Sequence, residues 1–353
     1  MSAPNTTTTS GSKAATALST VLRSNPASKL PHGRPDTPII ELSSQMPPID
    51  AAKTLWAHNI LGAPVWDDDG QKYVGFFDMR DILSSVVAAA KAEKEMKEGD
   101  EAEADHFSFQ EKMVKALEKL KVDDGSSADA AVAKEELVNV TPSDLTVSYL
   151  AARNPFTSVS DDCTLAQVCQ ALVEKHCHRV PIVDTATGKC TAIISQSALV
   201  KFLAKQCPRD DLTETLAEAG LPYKKDVASI VDTADASEAF ELLDAKRMSG
   251  IAVVDEDGML VGNTSARDIK FAALDEGRTA MDTDILSYLA SVRQATPQKK
   301  ERYPSCHVHE DSTIGHVINL LAKTGYHRVF VVDKDIKPVG VISVADIVKF
   351  AIS

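Results

Sequence analysis

Three acids recur in one local setting. Asp81, Asp268 and Asp346 each follow a glycine (Gly75, Gly262, Gly340) and then an acidic or hydroxyl residue (Asp78, Ser265, Ser343) at identical offsets. A carboxylate accepts hydrogen bonds from two neighbouring hydroxyls, which suits a ribose diol. The same acid near a helix start can also serve only as a cap or complement the helix dipole. Two further residues are paired twice: His178–Arg179 and His327–Arg328 stand just ahead of apolar runs. Arginine offers a planar fork to phosphate oxygens, and histidine adds a donor. The competing reading pairs each arginine with a local acid at the surface.

These residues sit in a repeated unit. The last copy, His327 to Phe350, reads HRVFVVDKDIKPVGVISVADIVKF. Val329–Val332 is a β-branched apolar run, Asp333–Asp335 a turn, Val339–Ile342 a second strand. Ser343 follows as a helix N-cap with Asp346 at the third helical position. SGIAVVDEDGMLVGNTSARDIKF from Ser249 keeps the same offsets. HRVPIVDTATGKCTAIISQSALVKF from His178 and LGAPVWDDDGQKYVGFFDMRDIL from Leu61 share a turn one residue longer, which groups the four copies as two pairs. Each is preceded by a stretch with apolar residues at helical spacing, such as Val317, Leu320 and Leu321 before the last. The unit is therefore strand, helix, strand, strand, helix.

On these motifs, with GAPVWD at 62–67 and CHVHED at 306–311, the unit resembles a CBS domain. Four in tandem resemble the γ regulatory subunit of the AMP-activated (SNF1-type) protein kinase, from roughly Asp36 onward. The resemblance implies an α+β protein whose four CBS repeats form two paired (Bateman) modules in a disc. It implies AMP, ADP or ATP as regulatory ligands, no other cofactor, and no catalysis by this chain. Ribose would fall to Asp346 with Ser343, Asp268 with Ser265, and less securely Asp81, because Asp78 replaces a hydroxyl there. Phosphate would fall to Arg328, His327, Arg179 and His178. Partners would be kinase catalytic (α-like) and scaffold (β-like) subunits. Ala198 stands in place of the acid in the second copy, a departure γ subunits share. Leu61 stands where the family carries a further arginine, and Gln196–Ser197 where a basic residue is expected, so the phosphate cage is thinner. A stand-alone CBS regulator of another enzyme or transporter, or a ligand-free scaffold, are the alternatives.

The boundaries read as a disordered tail at 1–35, repeats at 36–90, 145–205, 222–275 and 303–353, a charged insertion at 91–144, and connectors at 206–221 and 276–302. The tail is rich in Ser, Thr, Ala, Asn and Pro, with uncompensated Lys13, Arg23, Lys29 and Arg34, so an organelle transit peptide is its second reading. In the insertion, Phe109, Met113, Leu117 and Leu120 form a helical stripe that packs locally or meets a partner. The connector PRDDLTETLAEAGLP reads as a short acidic helix ending at Gly220.

With 44% hydrophobic residues and no apolar run near membrane length, a soluble protein is expected. A formal net charge of −13 disfavours general nucleic-acid binding. Six cysteines without a CxxC read as buried free thiols of a reduced, cytoplasmic or nuclear protein. His176–Cys177–His178 and His307–Val308–His309 lack third and fourth ligands for a metal. The repeat glycines form no P-loop or Rossmann pattern, and a nucleotide hydrolase is the weakest reading.

Overall fold

A computed structural model describes residues 11–30, 39–87, 146–272, 279–295 and 305–353 of the chain. The insertion and its stripe lie outside the described residues.

Every repeat builds the same three-stranded sheet, ordered as the chain runs. The strands are β1–β3 (Leu42–Ser43, Gly62–Asp67, Lys72–Asp78), β4–β6 (Val159–Ser160, Arg179–Val183, Cys190–Ser195), β7–β9 (Ser229–Val231, Gly250–Val254, Leu260–Ser265) and β10–β12 (His307–His309, Arg328–Val332, Pro338–Ser343). The first two strands of each sheet are parallel, so a crossover helix must join them. The chain opens with α1 (Lys13–Arg23), and the crossovers are α2 (Pro48–Ala57), α5 (Leu165–Glu174), α7 (Ala236–Ala245) and α10 (Ile314–Thr324). A hairpin joins the second and third strands, and its register shifts at the equivalent place in all four copies.

A helix follows each hairpin: α3 (79–87), α6 (Gln196–Gln206), α8 (Ile269–Ala272) and α11 (Val344–Phe350). Their starts follow from the caps. Ser195 Oγ accepts from the Ala198 amide at 3.2 Å. Ser343 Oγ accepts from the Asp346 amide at 3.2 Å while Asp346 accepts from the Ser343 amide at 2.7 Å, a reciprocal box. Two further helices are α4 (Val147–Ala151), which opens the second repeat, and α9 (Ile285–Gln294), which lies ahead of the fourth.

The repeats meet through two kinds of surface. Within a pair, sheets face each other. Ala252, Val254 and Leu260 of the third repeat pack on Phe330 and Val332 of the fourth. Tyr73 of the first repeat stacks on Phe156 of the second at 4.4 Å and 12°. Between pairs, helices pack. One core joins the first and third repeats through residues such as Leu55, Phe77, Phe240 and Tyr288. The other joins the second and fourth through Leu165, Leu203, Val317 and Ile347. Turn length thus marks the sheet-to-sheet partners. Among the described residues no helix is long and apolar enough to cross a membrane.

The N-terminal expectation needs correction. Residues 1–35 read as a disordered tail, yet Gly11–Leu30 is ordered and carries α1. Ala14, Leu18 and Leu22 recur every fourth residue and are fully buried in the core of the second and fourth repeats. Glu214, from the connector, accepts from Ser12 Oγ at 2.6 Å and the Ala14 amide at 2.9 Å. The composition is polar on average, but three residues on one face suffice once a tertiary groove covers them. The connector also differs: a 3-10 turn at Arg209–Asp211 and turns up to Gly220 (φ +63°) replace the expected acidic helix. Leu212, Leu216 and Leu221 are buried there, and packing overrides the helical pattern.

Candidate functional site

The recurring acids and the His–Arg pairs meet through sheet register. In the first pair Gly62 of β2 lies opposite Asp78 of β3, and in the second Gly250 of β8 lies opposite Ser265 of β9. Arg179 and Arg328 open β5 and β11, opposite Ser195 and Ser343. Each arginine leaves its own repeat and enters the partner repeat. Arg179 lies over the Phe76 ring at 5.6 Å. Arg328 Nη2 donates to Ser249 Oγ at 2.6 Å. A Cβ added to Gly62 would fall 2.2 Å from Arg179 Nη1, and one added to Gly250 would fall 1.5 Å from Arg328 Nη1. Only glycine leaves room for these guanidinium groups.

Nη1 of both arginines is buried and has no hydrogen-bond partner. An unsatisfied buried donor costs about 1–3 kcal/mol, more when charged, so an anion that supplied acceptors would relieve it. Burial lowers the pKa of both guanidinium groups. For Arg328 it reaches about 10, with Asp268 opposing. For Arg179, Asp78 is the main opposing charge. His327 is exposed at its surface, yet the protein packed around it lowers its pKa to about 4 through desolvation, then through Arg328, Arg179, His178 and Arg267. His178 is lowered by desolvation and Arg80, with Asp78 opposing. The four predicted phosphate ligands therefore share one cationic region reaching across both pairs.

The acids differ from one another. Asp346 Oδ2 accepts from the Ser343 amide and from Ser343 Oγ, both at 2.7 Å. Asp268 Oδ2 accepts from the Ser265 amide and Oγ, both at 2.8 Å. Both carboxylates are half-buried at helix starts. Asp81 is buried at 4% exposure and accepts from the Asp78 amide at 2.8 Å, with Asn154 Nδ2 3.3 Å away. Burial, and then the Asp78 carboxylate, push the Asp81 carboxyl up to about 8, well above the ordinary carboxylate range. Arg80 pairs with Asp78 (Nε to Oδ1, 3.8 Å) rather than with the acid it precedes. Arg267 reaches across to Asn59 Oδ1 at 3.2 Å.

In sequence Leu61 stands out as a missing base, while Gly62 and Gly250 carry no reading of their own. The informative signal was the glycine itself, at equivalent positions in the two repeats that receive an arginine. Among the described residues no His, Cys, Asp and Glu group could hold a metal. All six cysteines are free thiols, five of them buried. Burial pushes Cys169 up to about 12 and Cys190 up to about 11, which suits packing rather than nucleophilic chemistry.

Known proteins share this arrangement. The CBS domain family model matches residues 33–88, 147–205, 222–275 and 302–353. 5'-AMP-activated protein kinase subunit gamma-3 of Sus scrofa is 25% identical over 301 residues, covering 84% of this chain and 50% of the relative. The human subunit gives the same identity over 53% of its length. Protein SDS23 of Scheffersomyces stipitis is 25% identical over 228 residues, covering 60% of this chain and 42% of that one. The chain thus spans about half the length of these curated relatives. A Methanocaldococcus jannaschii protein described as an archaeal homologue of g-AMPK shares the fold, with TM-score 0.60 at 15% identity over 92% of this chain and 99% of that one. Four matched domains, four copies of one sheet and their sheet-to-sheet pairing place this chain in the CBS-domain family, as a four-repeat member resembling the kinase γ subunits.

Proposed function

We propose that the chain is an adenine-nucleotide-sensing regulatory subunit of an AMP-activated type of protein kinase. The observation that carries this is the shared cationic region: two arginines with unsatisfied Nη1 groups, each beside a histidine, reach one centre from both pairs. Phosphate oxygens fill the acceptor role that region lacks. Asp346 with Ser343 and Asp268 with Ser265 hold ribose hydroxyls, and Asp81 takes the lesser place because its carboxyl is buried and its pKa is raised by burial and by Asp78. CBS-domain proteins and kinase γ subunits are regulatory rather than catalytic, and we read this chain in the same way.

The mechanism is differential binding. AMP, ADP and ATP compete for the clefts but bring different negative charge against Arg179 and Arg328. A ligand shifts a partner only by its differential affinity for two states of that partner. Kinase catalytic and scaffold subunits supply the chemistry, and this chain biases them.

A stand-alone CBS regulator is the second reading. Leu61–Gly62, in place of a basic residue, leaves a thinner phosphate cage, and the SDS23 relatives match at similar identity. Affinity purification of the full chain from its own cells separates the two. Recovery of a kinase catalytic chain, with activity that changes on adding AMP, supports the first. Recovery without any kinase subunit, under conditions that preserve such complexes, refutes it.

A further inference from the structure

The first and fourth repeats carry the same acid beside different neighbours. In both, a segment of the partner repeat pairs with the edge of the third strand. The Phe76 amide donates to the Asn154 carbonyl at 2.9 Å, and the Val341 amide donates to the Lys224 carbonyl at 2.9 Å. Phe76 precedes Asp81 by the same interval as Val341 precedes Asp346. In the first repeat the approach is close: a Cβ on Gly75 would fall onto the Ala151 carbonyl. The backbone amide of Asn154 donates to that same carbonyl at 2.9 Å, so Asn154 is held on both sides.

The two segments deliver different side chains. Asn154 is half-buried, and its Nδ2 forks over Asp81, 3.3 Å from Oδ2 and 3.4 Å from Oδ1. Oδ2 also accepts from the Asp78 amide at 2.8 Å. Both oxygens of Asp81 are thus taken, and the residue is only 4% exposed. Lys224 is exposed, and among the described residues Asp346 accepts through Oδ2 alone, from Ser343. Its Oδ1 is left for a ligand. A ribose diol brings a carboxyl two donors side by side, and the two N–H groups of one amide bring the same pattern.

We infer that Asn154 is a built-in substitute for the ribose diol: it covers Asp81 and keeps ribonucleotides off the acid of the first repeat, while the acid of the fourth stays open. This rests on the nucleotide reading above and adds the residue that sets the lesser place of Asp81. The phosphate donors of the first pair are not what is closed, since Arg179 Nη1 remains without a partner. A diol has to displace an amide tethered beside the acid, and an intramolecular competitor is present at high effective concentration.

Equilibrium dialysis of the full chain against labelled AMP tests this by counting sites. Asn154→Ala removes the side-chain donors and keeps the backbone pairing, so it should bind one AMP per chain more than wild type. Asn154→Ser, too short to span to the acid, should gain the same site. The gain should vanish in Asn154→Ala/Asp81→Ala. Labelled 2′-deoxy-AMP lacks one hydroxyl of the diol and should fill the gained site at least about tenfold more weakly. Thermal unfolding establishes that each variant is folded. An unchanged or lower count in the two folded Asn154 variants overturns the inference. So does a gain that survives the loss of Asp81, or one that takes 2′-deoxy-AMP as tightly as AMP. Absence of AMP from the wild type and from every variant removes the nucleotide reading itself, and the inference with it.

Discussion

Gly250→Ala tests the placement of Arg328 without any ligand. The new Cβ would stand 1.5 Å from Nη1, 2.5 Å from Cζ and 2.8 Å from the Thr264 carbonyl oxygen. Carbon and nitrogen need roughly 3.5 Å of separation, so the guanidinium has to move by about 2 Å. That movement breaks its 2.6 Å bond to Ser249 Oγ. A charge-assisted hydrogen bond contributes about 1.5–3 kcal/mol, and overpacking of this kind costs about 1–3 kcal/mol. We expect a loss of about 2.5–6 kcal/mol in urea unfolding. The contact with the Thr264 oxygen supplies part of this in any background, so the single variant is not decisive. The cycle with Arg328→Ala is. Once the guanidinium is gone the alanine has only the strand to meet, and its cost should fall by at least about 1 kcal/mol. An equal cost of Gly250→Ala in both backgrounds would refute the crossing of Arg328 into the third repeat.

Other predictions concern stability and protons. Leu18→Ala should destabilise the chain by about 2–5 kcal/mol in the same unfolding assay, since Leu18 is fully buried in the core of the second and fourth repeats. Amide exchange in α1 should rise with it. For Asp81, the folded-state pKa of about 8 lies above its ordinary value. Its contribution is present at low pH and is lost as pH rises through about 8, so Asp81→Asn should gain stability relative to wild type between about pH 5 and 8. A variant equally destabilised at both ends would contradict the protonated state. His327 is held low, to about 4, so the unfolded chain binds the extra proton first, and stability falls as pH drops below the ordinary 6.5. A phosphate near His327 raises its pKa, so AMP binding at about pH 5.5 should take up protons. Calorimetry in buffers of different ionisation enthalpy detects that uptake, and its loss in His327→Ala assigns it.

The repeat was legible because periodicity and turn chemistry act locally. Val329–Val332, the Asp333 turn and the Ser343 cap each have a local physical cause, and four copies fixed the unit. The pairing of the repeats was legible from hairpin length. The helical cores linking first to third and second to fourth repeats were not, since nothing local says which helix covers which. The tail failed for the same reason: Ala14, Leu18 and Leu22 mean little until a groove from distant residues covers them. At the site, residue types were readable and their company was not. Asp78 reads in sequence as an acid in place of a hydroxyl, and in the fold its charge is the main one countering the desolvation of Arg179, while Gly62 and Gly250 make room for the arginines.

The central claim is that Arg328 binds the phosphate of an adenine nucleotide. Titration calorimetry of AMP into the full chain and into Arg328→Ala measures it directly. Loss of a charge-assisted bond worth about 1.5–3 kcal/mol predicts an affinity about ten- to a hundredfold weaker in the variant, with the fold intact by unfolding midpoint. Equal affinity in the two proteins would contradict the account.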